Sequence, residues 1–541
     1  MKNLIELAQQ WADQDPDNET RDELLALIAD NDTAALEKRF SGRLQFGTAG
    51  LRGPLQAGPM GMNRVLVAQA AAGLARFLCR KSDNPSVVIG YDGRKNSKRF
   101  AEDTAEIMQA AGVSAHLMPD LRPTPVLAFA VRELDVSAGV MVTASHNPPE
   151  DNGYKVYLGD DNGGAQIVSP DDKAIAADIQ WVADNQRVND IARDSGYAMI
   201  ETAVIEKYIA RTATLRSTPA CELNYVYTAM HGVGKATLLA VLDQAGLPHP
   251  TLVDEQCEPD GNFPTVAFPN PEEAGALDLA IAKAKACQAE FIIANDPDAD
   301  RLAVAVADEN GDWATLHGNE VGLYLAWFMA QRAQQAGQTG ILACSLVSSP
   351  LLAEVAASCG MQHQETLTGF KWIGRIPNLV FGYEEALGYL VNPDDVHDKD
   401  GVSAIVAFLD LVATLKAEGK TFAEYRQTFT QTFGAFASDQ LSLRVEDLGR
   451  IQRILSAVRE QPFTDIAGLN VSQFIDHEQT EKQDNILVFY LDGGQRVIFR
   501  PSGTEPKLKV YLDTKAETLA EAQAIGEQLK AALSAFTQGI A

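Results

Sequence analysis

One pattern repeats along this chain and narrows its fold more than any other feature. A short apolar, often β-branched run stops at a polar loop rich in Gly or Asp, and an amphipathic helical stretch follows. Val87-Val88-Ile89-Gly90 runs into Tyr91-Asp92-Gly93-Arg94, and Gly139-Val140-Met141-Val142 into Thr143-Ala144-Ser145-His146-Asn147. Phe291-Ile292-Ile293 runs into Asn295-Asp296-Pro297-Asp298, and Leu379-Val380-Phe381 into Gly382-Tyr383-Glu384-Glu385. Continuous apolar strands alternating with helices predict α/β units whose parallel strands are buried on both faces. Ligands of such sheets gather in the loops beyond the strand carboxyl ends. Four widely spaced loops of this kind predict several similar α/β domains around one cleft.

A chain of 541 residues holds three to four domains of roughly 100–200 residues each. The polar, Asp-rich stretch 169–195 is expected to close the first, with further boundaries near 310–318 and 430–442. The resulting division is 1–205, 206–315, 316–435 and 436–541. The last quarter reads differently. Runs at 485–490, 496–500 and 508–512 are separated by turns and followed by a helix from about 516 to 535. That order predicts a small α+β domain with an antiparallel sheet.

Composition excludes several partners. Lys+Arg is 45 against Asp+Glu 73, a net charge of −28, which opposes nucleic-acid binding through a broad basic surface. Any anionic ligand would need a small positive island in this acidic body. The six Cys are scattered without a C-x-x-C pair, as expected of reduced core residues. The first 40 residues alternate apolar and charged residues at helical spacing and have no signal-peptide core. The longest apolar run, near 321–330, is about half of the ~20 residues a membrane span requires. These features predict a cytoplasmic protein without membrane contact.

The sharpest motif is Asn295-Asp296-Pro297-Asp298-Ala299-Asp300-Arg301, three carboxylates at alternate positions leaving an apolar strand. Such a loop can aim three oxygen ligands at one hard divalent cation. An EF-hand is rejected, because the places that need Gly and Glu hold Arg301 and Ala307. A solvated acidic turn is the bland alternative. Three protein oxygens with open positions suit Mg²⁺ acting on a phosphate.

In Thr143-Ala144-Ser145-His146-Asn147-Pro148-Pro149, Ser145 follows a strand end, where a nucleophile would be presented. His146 is expected to be a poor base for it, since adjacent side chains rarely face each other, and no G-x-S-x-G elbow is present. A serine carrying a phosphoryl group beside the metal is the better reading; a plain Ser/Asn/Pro turn is the alternative. Lys155 nearby suits a proton shuttle or charge clamp, although a lone lysine is more often solvated. Arg500-Pro501-Ser502-Gly503-Thr504-Glu505-Pro506-Lys507 has the Arg, hydroxyls and Gly of a phosphate cradle without Walker A spacing. An ordinary turn between two strands competes with it. Glu384 and Glu385 between two Tyr could bind sugar hydroxyls, or mark a helix N-terminus. Lys399, among acids in Asp398-Lys399-Asp400-Gly401, is undecided alone. Arg52, Arg94, Arg301, Lys371, Lys399 and Arg500 recur near strand-end loops, and would form the positive island if they converge.

Together these loops resemble the α-D-phosphohexomutase superfamily, the phosphoglucomutase/phosphomannomutase enzymes. The resemblance spans nearly the whole chain and keeps the family's order. It runs from Gly47-Thr48-Ala49-Gly50-Leu51-Arg52-Gly53 through the serine, Asp, Gly-Tyr-Glu-Glu and Arg-Pro-Ser-Gly-Thr loops. It implies four domains in a heart shape, three related α/β domains with mixed sheets and a C-terminal α+β domain, around a central cleft. It implies an active-site phosphoserine at Ser145, which with Asp296, Asp298 and Asp300 binds one Mg²⁺ per chain. By the same resemblance Arg52 and Arg301 lie near the reacting phosphate, and Lys155 and Lys399 have acid/base roles. Glu384 holds sugar hydroxyls. Arg500, Ser502, Gly503 and Thr504 grip the distal phosphate, with Thr48, His146 and Lys371 as further substrate contacts.

The implied activity is a phosphoglucomutase working through glucose 1,6-bisphosphate, as a monomer or weak homodimer. Many hexose-specific members place Ser where this chain has Ala386. That spelling resembles the branch containing phosphopentomutases and glucose-1,6-bisphosphate synthases. Phosphopentomutase and phosphomannomutase are therefore the alternatives, ahead of a bisphosphate synthase, a Mg²⁺-dependent phosphatase or a non-catalytic sugar-phosphate sensor.

Overall fold

The computed structural model describes residues 2–540 apart from 48, 49, 220, 309, 446 and 502–506. The chain divides into two compact units. The first holds Met1–Leu316, Phe370–Gly382 and Leu387–Thr414; the second holds His317–Gly369, Tyr383–Ala386 and Leu415–Ala541.

In the first unit, Ser86–Tyr91 is the central strand of a seven-stranded mixed sheet. It pairs in parallel with Ser114–Leu117 on one side and Ala138–Val142 on the other. Asp151–Leu158 and then Leu51–Pro54 extend the sheet in antiparallel fashion. Val87, Val88, Ile89 and Val140 are fully buried, which is why these strands read as unbroken apolar runs rather than alternating ones. The long helix Arg64–Lys81, started by Asn63 accepting from the Leu66 N–H, and the helix Asp171–Asn185 help to cover this sheet. Three short helices, Lys2–Ala12, Asn18–Ala29 and Thr33–Phe40, form the N-terminal cap expected from helical spacing. A second, five-stranded mixed sheet is centred on Phe291–Ala294, parallel to Tyr225–Thr228 and antiparallel to Ala303–Ala307.

In the second unit, Ile341–Ser345 and Gln362–Thr366 pair in parallel. The last part of this unit is a six-stranded sheet containing Lys507–Ala516, Arg496–Pro501 and Leu487–Leu491, all joined antiparallel. Helices Leu448–Glu460 and Leu519–Gln538 bury Leu455, Leu529 and Leu533 against one face. The final helix starts at Leu519 because Lys515 and Ala516 still belong to the preceding strand, and Thr518 forms a capping box with Glu521. The sequence reading had missed the strand Ala435–Arg444, which pairs along its whole length with Lys507–Ala516. Its side chains are mixed in burial rather than continuously apolar, so the run-based signal was absent. The apolar stretch 321–330 lies within the helix Gly318–Gln335. Among the described residues, no helix is long and apolar enough to cross a membrane.

Candidate active site

The strand Phe291–Ala294 ends in an acidic loop that is held rigidly. Asn295 Nδ2 donates to the Arg301 carbonyl at 2.6 Å, while its Oδ1 accepts from the Tyr227 hydroxyl at 2.8 Å. A Cβ on Gly232 would meet Pro297 Cα at 2.4 Å, so the neighbouring loop can pack this closely only with glycine there. Ala299 takes a left-handed φ of 53°. The result is three fully buried carboxylates, Asp296, Asp298 and Asp300, with ligand oxygens within 4.8 Å of one another. A solvated acidic turn is excluded by that burial.

Cations surround the cluster. Lys155 Nζ lies 2.6 Å from Asp298 Oδ2 and 2.9 Å from Asp300 Oδ2. Lys399 Nζ lies 2.9 Å from Asp300 Oδ2, and Arg301 Nε is 3.7 Å from both Asp296 and Asp300. The Thr124 hydroxyl donates to Asp298 Oδ2 at 2.5 Å. Burial, and then the charges of Asp298 and Asp300, push Asp296 well above the usual carboxylate range. Burial acts the same way on Asp298, but Lys155 outweighs it and holds that carboxyl well below its ordinary value. Asp300 is also held down, by Lys155 and Lys399 against burial and Asp298. Asp298 Oδ1 and Asp300 Oδ1 are buried with no hydrogen-bond partner. Buried carboxylate oxygens without a hydrogen bond are costly; Asp300 Oδ1 has the Arg301 guanidinium 3.7 Å away, and hard oxygens grouped this way fit a cation of the Mg²⁺ type.

The serine loop meets this cluster. Ser145 takes a left-handed φ of 51°, its N–H donates to Thr143 Oγ1 at 2.9 Å, and its Oγ donates to Asp296 Oδ2 at 2.7 Å. The left-handed turn also brings Ser145 Oγ within 3.3 Å of His146 Nδ1. The sequence rule that neighbours face apart does not hold at this strained turn. Burial, with Arg301 and Arg52 alongside, pushes the His146 imidazole well below its ordinary value, so the ring is neutral. Arg52 Nη1 donates to Asn147 Oδ1 at 3.0 Å. Sheet pairing explains the convergence. Arg52 sits opposite Gly153, and Lys155 opposite Met141, on three adjoining strands that all end at this loop.

Lys399 is set by its neighbours. The Tyr157 hydroxyl and Gln166 Nε2 each donate to Asp398 Oδ2 at 2.8 Å. The Tyr208 hydroxyl bonds Asp400, which also accepts the Val402 and Ser403 N–H groups at the start of the next helix. Lys155 and Lys399 are both buried, so neither is the solvated lysine that an isolated reading favours. Of the six basic residues expected to converge, Arg52, Arg94, Arg301 and Lys399 gather in the first unit, joined by Lys155 and compensated by the aspartates they pair with. Lys371 stands on the short helix Phe370–Ile373 with Nζ 5.5 Å from the Trp372 ring centroid.

In the second unit, Glu384 ends the strand Leu379–Glu384 and accepts the Gly369 N–H at 2.7 Å. The next element is the strand Gly388–Leu390, so the helix N-terminus alternative for these acids does not apply. Glu385 is buried against the hydroxyls of Ser345 and Ser348, at 3.4 and 3.3 Å. Burial, and then the Glu385 charge, raise the Tyr511 phenol above its ordinary range against the opposing charge of Arg500. Arg500 lies in the strand Arg496–Pro501 and is partly exposed. Thr48, Ser502, Gly503 and Thr504 lie outside the described residues.

Four successive segments match one family. Residues 43–185, 206–311 and 317–433 match the phosphoglucomutase/phosphomannomutase alpha/beta/alpha domains I, II and III, and 444–531 match its C-terminal domain. The chain belongs to the phosphoglucomutase/phosphomannomutase family. It is 58% identical over 481 residues to a probable phosphomannomutase of Haemophilus influenzae, covering 89% of this chain and 97% of that protein. It is 33% identical over 588 residues to the human phosphopentomutase, covering 98% and 94%. A phosphoglucomutase of Staphylococcus haemolyticus is 34% identical over 533 residues, covering 92% and 96%. A phosphoglucomutase/phosphomannomutase family structure from Burkholderia thailandensis shares the fold at a TM-score of 0.71 and 20% identity, covering 92% and 99%.

Membership in the phosphoglucomutase/phosphomannomutase family makes the chain a sugar-phosphate mutase, an isomerase acting by phosphoryl transfer, with an acidic cluster able to hold a metal. Thr124, Tyr157 and Tyr208 were missed from the sequence. Each acts through a partner more than 140 positions away or through a neighbour's side chain, so no local motif marks it.

Proposed function

We propose that the chain is a phosphoglucomutase, interconverting α-D-glucose 1-phosphate and glucose 6-phosphate in carbohydrate metabolism. The observation that carries this reading is the Ser145 hydroxyl, 2.7 Å from Asp296 in a buried three-carboxylate cluster flanked by Lys155 and Lys399. Phosphorylated Ser145 donates its phosphoryl group to the free hydroxyl of the sugar phosphate. The glucose 1,6-bisphosphate then turns over, and its original phosphate passes back to Ser145. A Mg²⁺ ion bound by Asp296, Asp298, Asp300 and the phosphoserine would neutralise charge on the transferring group.

Arg52 and Arg301 add fixed positive charge beside the serine, where most catalysis of this kind resides. Lys399 is held protonated by Asp300 and Asp398 against the effect of burial, and Lys155 is clamped between Asp298 and Asp300. As an ammonium, Lys399 donates a proton to the reacting oxygen, and Lys155 shuttles the hydroxyl proton beside Asp298 and Asp300. His146, Lys371 and Thr48 contact the substrate. Glu384 takes the sugar hydroxyls. Arg500, with Ser502, Gly503 and Thr504, takes whichever phosphate is distal to the serine. The protein works in the cytoplasm as a monomer or weak homodimer, binding neither nucleic acid nor membrane.

A second reading, phosphopentomutase, is favoured by Ala386 in place of a hydroxyl and by similarity to the human phosphopentomutase. Phosphomannomutase is favoured by the Haemophilus relative. Parallel kcat/KM measurements on glucose, mannose and ribose 1-phosphates decide among them. Glucose 1-phosphate should be turned over fastest; a higher value for either rival reassigns the substrate. Inorganic phosphate released at the isomerisation rate would instead identify a phosphatase.

A further inference from the structure

The buried side chain with the most hydrogen bonds to the serine loop is one that the mechanism does not use. Arg94 is 4% exposed and follows the central strand Ser86–Tyr91. Its Nη2 donates to the carbonyls of Ser145 and Asn147 at 2.7 and 2.6 Å, and its Nη1 to those of Pro148 and Asp151 at 2.7 and 3.0 Å. The guanidinium is itself held. Its Nε lies 3.7 Å from Asp92 Oδ2, and its carbon lies 4.9 Å from the Phe263 ring centroid. Asp92 is fixed in turn by the Ser97 hydroxyl at 2.6 Å and the Arg94 N–H at 3.0 Å.

This grip falls on a turn that needs it. A left-handed φ is unfavourable for a residue with a Cβ, and persists only where the surroundings over-determine it. Ser145 adopts it at 51°, and only that turn puts Oγ against Asp296. A planar fork can serve several carbonyls at once in a fixed geometry, which an ammonium cannot. We propose that Arg94 is a positioning residue for phosphoryl transfer: its fork locks the Ser145 turn so that Oγ faces the acidic cluster. The inference rests on the reading of Ser145 as the phosphoryl carrier. It assigns Arg94 to the main chain of the loop rather than to the substrate.

The test uses the full chain as wild type, Arg94→Lys and Phe263→Leu, each assayed at a temperature where circular dichroism shows it folded. Arg94→Lys keeps the charge beside Asp92 but loses the fork. It should lower kcat roughly 10–100-fold, the cost of a misplaced reacting group, while KM for the sugar phosphate changes less than ~3-fold. In a Ser145→Ala background, which removes the serine's own share of the metal site, Mg²⁺ binding by calorimetry should be unchanged by Arg94→Lys, because the acidic loop is built separately. Phe263→Leu should lower kcat by less, again without moving KM. Wild-type kcat in Arg94→Lys would mean that charge alone is needed and would overturn the proposal. A loss of Mg²⁺ affinity in that background would also overturn it, by placing Arg94's effect on the acids. Intact-mass measurement separates the two levels. If wild type never carries a phosphoryl group on Ser145, the underlying reading fails; if it does and Arg94→Lys is unimpaired, only the role of Arg94 fails.

Discussion

On the proposed function, the reaction loops of the first unit and the sugar and phosphate loops of the second solve opposite problems. Around Ser145 the charged groups are cross-linked and mostly buried, with Arg52 and Arg301 partly exposed: Arg94 lies on four carbonyls, Lys155 on Asp298 and Asp300, and Lys399 on Asp300 and Asp398. Arg500 and Glu384 are partly exposed, Arg500 on the strand Arg496–Pro501 and Glu384 accepting the Gly369 N–H. Transfer of a phosphoryl group gains from charges fixed before reaction. A distal site that must accept either end of a turning intermediate gains from accessible groups. The difference teaches where a substitution should act: on kcat in the first unit, on KM in the second.

The largest effect expected is that of Ser145→Ala, which removes the acceptor of the phosphoryl group. Activity should fall by ~10⁴-fold or more with an unchanged circular dichroism spectrum; substantial residual turnover would break the contrast at its centre. Next is Asp298→Asn. It should weaken Mg²⁺ binding by at least ~100-fold in calorimetry, with a matching loss of kcat; wild-type affinity would remove Asp298 from the metal site. Arg500→Ala should raise KM by roughly 10–100-fold, the value of a charge-assisted pair, and leave kcat within a few-fold. A fall in kcat with constant KM would place Arg500 on the reaction side instead.

The smallest effect concerns stability. His397 shares the loop that carries Lys399, and its Nδ1 lies 2.9 Å from Arg132 Nη1, so it must accept from that guanidinium. Burial, with Arg132 next, lowers its pKa from 6.5 to about 4. Between those values the unfolded chain binds the proton and the folded chain does not. Stability contributed by neutral His397 is therefore full above pH 6.5 and lost as pH falls toward 4. Denaturant titrations across that range should show the decline, and His397→Gln, whose amide oxygen still accepts, should flatten it. An identical slope in both proteins would remove His397 from the account.

Much of the chemistry was legible because it is written in consecutive residues. The acidic loop, the serine loop and the Glu pair follow apolar strands buried on both faces, and such strands announce themselves as continuous runs. The strand Ala435–Arg444 did not, since its mixed burial leaves no such run. Sequence also indicated that Lys155 and Lys399 were candidates, without deciding whether either was solvated. Burial beside Asp298 and Asp300 decided it, and that depends on strands and loops far apart in the chain.

What the sequence by itself determined, then, is the inventory and its local aim: α/β units, three acids on one loop, a serine at a strand end, and arginines nearby. Tertiary structure alone decided which charges compensate one another. It placed Thr124 on Asp298, Tyr157 and Tyr208 on the acids flanking Lys399, and Arg94 beneath Ser145. The net charge of −28 is no obstacle to an anionic substrate for the same reason. Electrostatic energy in a buried site depends on distances of a few ångströms between particular groups, which composition averages away.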